Sequence, residues 1–476
     1  MKVPLPAHSY TRASATVGGS RLVNCFAESA PPEGKGPSIL LRCPGTVETT
    51  SLPPGSGRGM ITWSGFLYAV AGQTLYVINP DYSFAALGEI GGTGRVTFAV
   101  NSEQLLICAP PFAYVLQGGT LTAVSDPDFL APAGVVSVDG YAVFREADTG
   151  KFFSSGLNAF GAYDALDYAT VEGLPGPLNG IFADHRQVLL TKSDCCELWE
   201  NIGGTGFPFV RAVNGFMEMG CANGDTIQKV DNSVYMLASD LTVRRLEGLT
   251  WARKSQHGVE QAIRSYDLTG AYAFTYTQDG HVFYCLTFPE NEATWCHDVS
   301  TGEWHERSSS DKRWRPCAAV YCYGRNHVQR YDTGQIGYLD PDVYTDSGER
   351  MKVEWTYSSD AYNKNRRVYH SMLECVLETG LGADSDVSGG GGFIVGYFIG
   401  FGAGSSEVSD PQILLSISND GGKEWQPLPM KPLGKLGERF VRVRWWALGS
   451  SPDRVYRMSI TDPVKVIVTD TELEVA

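Results

Sequence analysis

Residues 280–307 read GHVFYCLTFPENEATWCHDVSTGEWHER. From His281 to Phe288, β-branched and aromatic residues alternate with smaller ones, the pattern of a half-buried strand. Pro289 to Glu292 interrupts it. A second strand follows over 294–299, Ser300-Thr301-Gly302 forms a tight turn, and 303–307 opens a third strand. A meander of this size cannot bury both faces by itself, so it predicts copies of itself elsewhere in the chain.

Those copies are present. Phe66 to Val70, Ala71-Gly72-Gln73 and Thr74 to Ile78 make a hairpin of the same kind. Comparable second strands begin near Leu67, Leu105, Tyr141, Val188, Val234, Val282 and Val328. Their spacing runs from 36 residues (Leu105 to Tyr141) to 48 (Val234 to Val282). Repeats of this length with about four strands each predict a β-propeller, here of six or seven blades over 58–348. A β-sandwich also has regularly spaced strands, but the period persists from Leu67 to Val328.

The flanks differ. Residues 1–57 begin irregularly around Pro4, Pro6, Gly18 and Gly19, then carry strand-like runs near 20–28 and 39–46, the second ending in Pro44-Gly45. Beyond Asp346-Ser347-Gly348 the alternating segments lengthen, at 351–358, 366–379, 412–418, 439–446, 454–460 and 464–469. They predict a C-terminal antiparallel sandwich-like domain over 349–476. A Gly-rich insert, 380–409, encloses the apolar run Phe393 to Ile399. That run reads either as a core strand or as an arm that docks on a neighbouring subunit.

Composition narrows the function. The net charge of −15 is spread along the chain. Nucleic-acid binding needs clustered Lys and Arg, so sequence-specific DNA contact is not expected. Eleven cysteines without a Cys-x-x-Cys or zinc-like Cys/His spacing predict reduced, buried thiols made in a cytoplasm. No charged start leads into an apolar run, and no apolar stretch is long enough to cross a bilayer, so no membrane anchor is expected.

Several motifs invite a chemical reading. Ser418-Asn419-Asp420-Gly421-Gly422-Lys423-Glu424-Trp425 fits the S-x-D-x-G-x-x-W hairpin of sialidase propellers, which is a turn element and no catalytic site. His297 and His305 lie near Glu303 and Glu306; alternation and turns favour a polar blade face over an acid–base pair. Gly91-Gly92-Thr93-Gly94 and Gly203-Gly204-Thr205-Gly206 precede strands, whereas a phosphate cradle leads into a helix, so they join strands or blades. Arg244-Arg245 and Arg366-Arg367 read as surface ion-pair partners. There is no nucleophile elbow and no Walker loop. No catalytic, cofactor-binding or metal-binding residue is therefore assigned, and no cofactor is expected. A glycosidase acting on host surface polysaccharide is the alternative reading, since two carboxylates across a cleft leave no fixed spacing in sequence.

The stretch 280–307 resembles a signature of tail accessory proteins of short-tailed bacteriophages, also called packaged-DNA-stabilisation, head-completion or tail-nozzle proteins. Arg21-Leu22-Val23-Asn24 with Glu28 and Pro44-Gly45 resembles their N-terminal segment. Gly258 to Tyr266 resembles the segment before the signature. Arg444-Trp445-Trp446, Leu448-Gly449 and Asp462-Pro463-Val464 resemble their C-terminal strands. The resemblance implies a non-enzymatic virion protein of the tail, made in the bacterial cytoplasm. It implies a homo-hexameric ring below the portal and head-to-tail adaptor that closes the DNA channel after packaging. It also implies tail spikes or fibres and a needle or plug as partners. DNA would pass through an acidic lumen without sequence-specific binding.

Overall fold

A computed structural model describes residues 5–10, 19–29, 38–204, 206–358, 367–379, 411–434, 438 and 440–475. The insert 380–409, with the run 393–399, lies outside the described residues, as does Arg366. The chain divides into two compact units. One comprises Glu48–Trp304 and Asp311–Leu339; the other comprises Met1–Val47, His305–Ser310 and Asp340–Ala476.

Among the described residues the first unit is built on seven antiparallel sheets. Five have four strands, over 57–89, 97–123, 132–170, 180–217 and 228–253. The sixth is built on Tyr272–Gln278, His281–Phe288 and Ala293–Asp298, and the seventh on Pro316–Cys322, Arg325–Arg330 and Ile336–Asp340. Each of the seven second strands inferred from sequence is the second strand of one sheet. The blade count is therefore seven.

The reason these strands stood out is their environment. A second strand has a neighbouring sheet on both faces, so it reads as a continuous apolar run. Gln104–Ala109 and Ser233–Leu237 are buried at every position. The outer strand Phe84–Glu89 has no buried residue. The core is accordingly a series of layers between consecutive sheets. Val70, Leu75, Leu105 and Ile107 share one layer, and Tyr235, Leu237, Tyr284 and Trp295 share another.

The ring closes where the seventh sheet meets the first. Leu52, Met60 and Leu67 pack with Ala318 and Ile336. The Thr49 and Thr50 backbone N–H groups donate to the Ile336 carbonyl at 2.9 and 3.3 Å. Buried Gln329 accepts from Gly59 N at 3.1 Å and donates to the Val70 carbonyl at 3.0 Å. Between the fourth and fifth sheets the backbone approaches so closely that a Cβ at Gly224 would overlap the Asn179 carbonyl oxygen, which requires glycine there.

The second unit is a two-sheet sandwich. One sheet contains Arg21–Val23, Val353–Ser358, Val455–Ile460 and Gln412–Ser418; the other contains Cys25–Ser29, Ser38–Arg42, Ile467–Val475, Val368–Glu378 and Phe440–Ser451. The chain passes from one sheet to the other at Asn24, whose φ is 54°, a left-handed conformation that Asn tolerates. Leu22, Cys25 and Leu40 pack with Trp355, Leu373, Leu415 and Trp445. The stretch read from sequence as a separate N-terminal segment thus supplies strands to both sheets. Buried thiols fit throughout: all eleven cysteines are buried.

The one α-helix among the described residues, His257–Arg264, was not foreseen. It carries Val259 and Ile263 into the core. Its Glu260, fully buried, accepts from Arg253 and, at 2.7 Å, from Ser255 Oγ.

Candidate functional site

The residues flagged around 297–306 do not converge. His297 is 2% exposed and stacks on Trp304, with ring centroids 4.8 Å apart. Burial pushes its imidazole down to about 4. His305 is equally buried, against Phe26. Glu303 accepts from Gln256 Nε2 at 2.9 Å. Glu306 is held by Arg21 through two bonds, Nε to Oε1 at 2.9 Å and Nη2 to Oε2 at 2.8 Å. The histidines are packing elements, so the expected polar face is corrected here: burial against Trp304 and Phe26 outweighs the polar neighbours in sequence.

The tight turn of this stretch is organised by Asp298. It accepts from Ser300 N at 2.9 Å and Thr301 Oγ1 at 3.0 Å, and lies 2.7 Å from His281 Nδ1. The hairpin at 418–425 is likewise a closed turn. Asp420 accepts from Ser418 Oγ at 2.6 Å and from Lys423 N and Glu424 N at 3.0 Å each. The Arg457 guanidinium lies 4.1 Å from the Trp425 ring centroid.

The Gly-rich loop 91–94 joins the first and second sheets, and its carbonyls face inward. Arg58, 2% exposed, donates to Gly94 O at 2.6 Å, Gly91 O at 2.9 Å, Gly72 O at 3.1 Å and Ile90 O at 3.3 Å. The loop cradles a cation, the opposite of a phosphate site. Gly203 and Gly204 lie between Cys196–Asn201 and Phe209–Met217, joining strands within the fourth sheet. Arg244 and Arg245 pair with Asp240 and Asp231. In the sandwich, Arg42 donates to the carbonyls of Met351 (2.6 Å), Val464 (2.7 Å), Asp462 (2.9 Å) and Tyr344 (3.0 Å). Among the described residues no three His, Cys, Asp or Glu side chains gather as a metal ion would require.

One concavity lies in the propeller. A cavity of about 410 Å³ is lined by first strands of successive sheets, the segments leading into them, and Arg145 of a second strand. Its charged lining residues are Arg95, Arg145 and Asp225. Arg95 precedes the first strand of the second sheet, yet its guanidinium lies 4.4 Å from the Tyr272 ring centroid of the sixth and donates to Cys317 O of the seventh at 3.0 Å. It therefore spans the ring. Arg145 Nη1 donates to Leu178 O at 3.2 Å. Sequence reasoning missed this group because its members come from different repeats and follow no local spacing.

Seven sheets in a closed ring, together with a two-sheet sandwich in the same chain, define a propeller-and-sandwich protein. The chain belongs to the bacteriophage P22 Gp10 family: that family's β-propeller model matches residues 1–344 and its β-sandwich model residues 355–476. It is thus a structural tail protein of a short-tailed phage. No curated protein matches. Among solved structures the chain is similar to the computationally designed Ika8 protein (13% identity over 62% of this chain and 99% of that one, TM-score 0.38). It is also similar to YCF48 from Cyanidioschyzon merolae (10% identity, 63% and 99%, TM-score 0.42). A third likeness is the extracellular domain of the putative one component system BT4673 from B. thetaiotaomicron (10% identity, 90% and 62%, TM-score 0.45). At these identities and TM-scores the three add nothing to the assignment.

Proposed function

We propose that the protein is a non-catalytic tail hub or nozzle. Copies assemble as a homo-hexameric ring below the portal and adaptor, close the DNA channel after packaging, and carry spikes or fibres and a needle or plug. The observation that carries this reading is the match of both family domains, in order, along nearly the whole chain. Exposed apolar side chains support self-assembly. Leu166 and Val213, on the outer strands of the third and fourth sheets, are 78% and 88% exposed, a cost that a neighbouring copy would relieve. The net charge of −15, multiplied around a ring, supports a lumen past which DNA slides.

The test is made on particles. Virions lacking the protein should leak packaged DNA and lack spikes in negative-stain images. Full, infectious, spiked particles without it would overturn the proposal. Purified protein should also leave host surface polysaccharide uncleaved; cleavage that survives repurification would favour a glycosidase instead.

A further inference from the structure

We propose that the axial cavity of the propeller binds a small organic monocarboxylate with an apolar body. At about 410 Å³ it lies in the size range of sites for small organic ligands. Its walls include Ile61, Phe98 and Ile181. Its charged lining groups are two guanidinium groups and one carboxylate, which leaves one positive charge inside a chain of net charge −15.

The two arginines differ from the structural ones. Arg58 and Arg42 each direct their donors to four backbone carbonyls. Arg95 and Arg145 each make one hydrogen bond to a backbone carbonyl among the described residues, to Cys317 and Leu178. A guanidinium has five N–H donors in a planar fork that matches a carboxylate, so most donors of both groups remain available to the cavity. They are also held in place beforehand. Arg95 rests on Tyr272 and hangs from Cys317, so little side-chain freedom is lost on binding.

Charge selects the ligand class. A monoanion balances the single excess positive charge, whereas a phosphate dianion would leave a net negative charge and meet Asp225. The apolar walls add affinity for a hydrocarbon or aromatic body. A bound carboxylate would tie together strands from separate sheets and raise the melting temperature of the ring.

The experiment uses the full chain with phenylacetate as probe and inorganic phosphate as the dianionic comparison. Calorimetric titration should show saturable phenylacetate binding and no phosphate binding at ~10 mM. Arg95→Gln and Arg145→Gln should each weaken binding about tenfold or more, the loss of a charge-assisted hydrogen bond. Circular dichroism checks that the variants fold. Should either fail to fold, Ile61→Trp, which fills the cavity from its apolar wall, must abolish binding. Absence of phenylacetate binding, undiminished binding by either folded arginine variant or by Ile61→Trp, or tighter binding of phosphate would each overturn the proposal.

Discussion

Arg21 grips Glu306 through two parallel hydrogen bonds of 2.9 and 2.8 Å. The two residues come from stretches far apart in the chain, yet Val23 pairs with Glu306 in a parallel register. The neighbouring Asn24 completes the junction. It accepts from Ser308 N at 3.0 Å and donates to Ser308 O at 2.9 Å and Lys352 O at 2.8 Å. Arg21 is about half exposed, so Arg21→Ala should cost only about 0–1 kcal/mol. Asn24 is 1% exposed, and Asn24→Ala should cost about 3 kcal/mol by leaving buried backbone groups unpaired. Urea unfolding followed by tryptophan fluorescence would rank the two; equal losses would contradict this account.

Gln329 closes the propeller between the seventh and first sheets. Gln329→Leu keeps the volume but strands the Gly59 N–H and Val70 carbonyl. The expected loss is about 2–4 kcal/mol. Hydrogen exchange should show new lability at Gly59; unchanged protection there would count against closure through this amide.

Arg58 joins the first and second sheets through four carbonyls. Arg58→Met should destabilise by about 3–5 kcal/mol, since it leaves several buried acceptors without donors. Arg58→Lys should recover only part of the loss, because an ammonium has three donors and no planar fork. Full recovery by lysine would show that charge alone matters there.

Acid should loosen the propeller. His297 titrates at about 4 when folded, against 6.5 for an unperturbed imidazole, because burial disfavours its charged form. Between those values the unfolded chain binds more protons, so stability is complete above 6.5 and falls as pH drops toward 4. The contribution is at most about 3 kcal/mol. His370 in the sandwich is likewise lowered, to about 4, by burial. His297→Gln should flatten the dependence of the propeller's stability on pH in this window. An unchanged slope in denaturant titrations at several pH values would exclude His297 as a source.

Much of the propeller was legible because burial on two faces makes a continuous apolar strand. Leu105 and Val234 stand in such strands, and their spacing alone gave the repeat. The N-terminal strands were not legible as part of the sandwich. Arg21–Val23 is three residues long and its antiparallel partner is Val353–Ser358, so local pattern could not reveal the pairing. The helix His257–Arg264 is too short for periodicity to stand out. His297 and His305 looked polar because their neighbours in sequence are; their packing partners were set by tertiary structure. The cavity arginines escaped for the same reason, Arg95 meeting Tyr272 only once the ring has closed.

The propeller residues 48–304 and 311–339 are nested between segments of the sandwich. This dictates an order of events on the ribosome. Leu40 emerges before its core companion Leu373, which follows 333 positions later. At ~5–20 residues per second that interval is roughly twenty seconds to a minute. Throughout it, Leu22, Cys25 and Leu40 have no finished sandwich to enter. The propeller can begin to fold while the first strands of the sandwich wait for their partners to be translated.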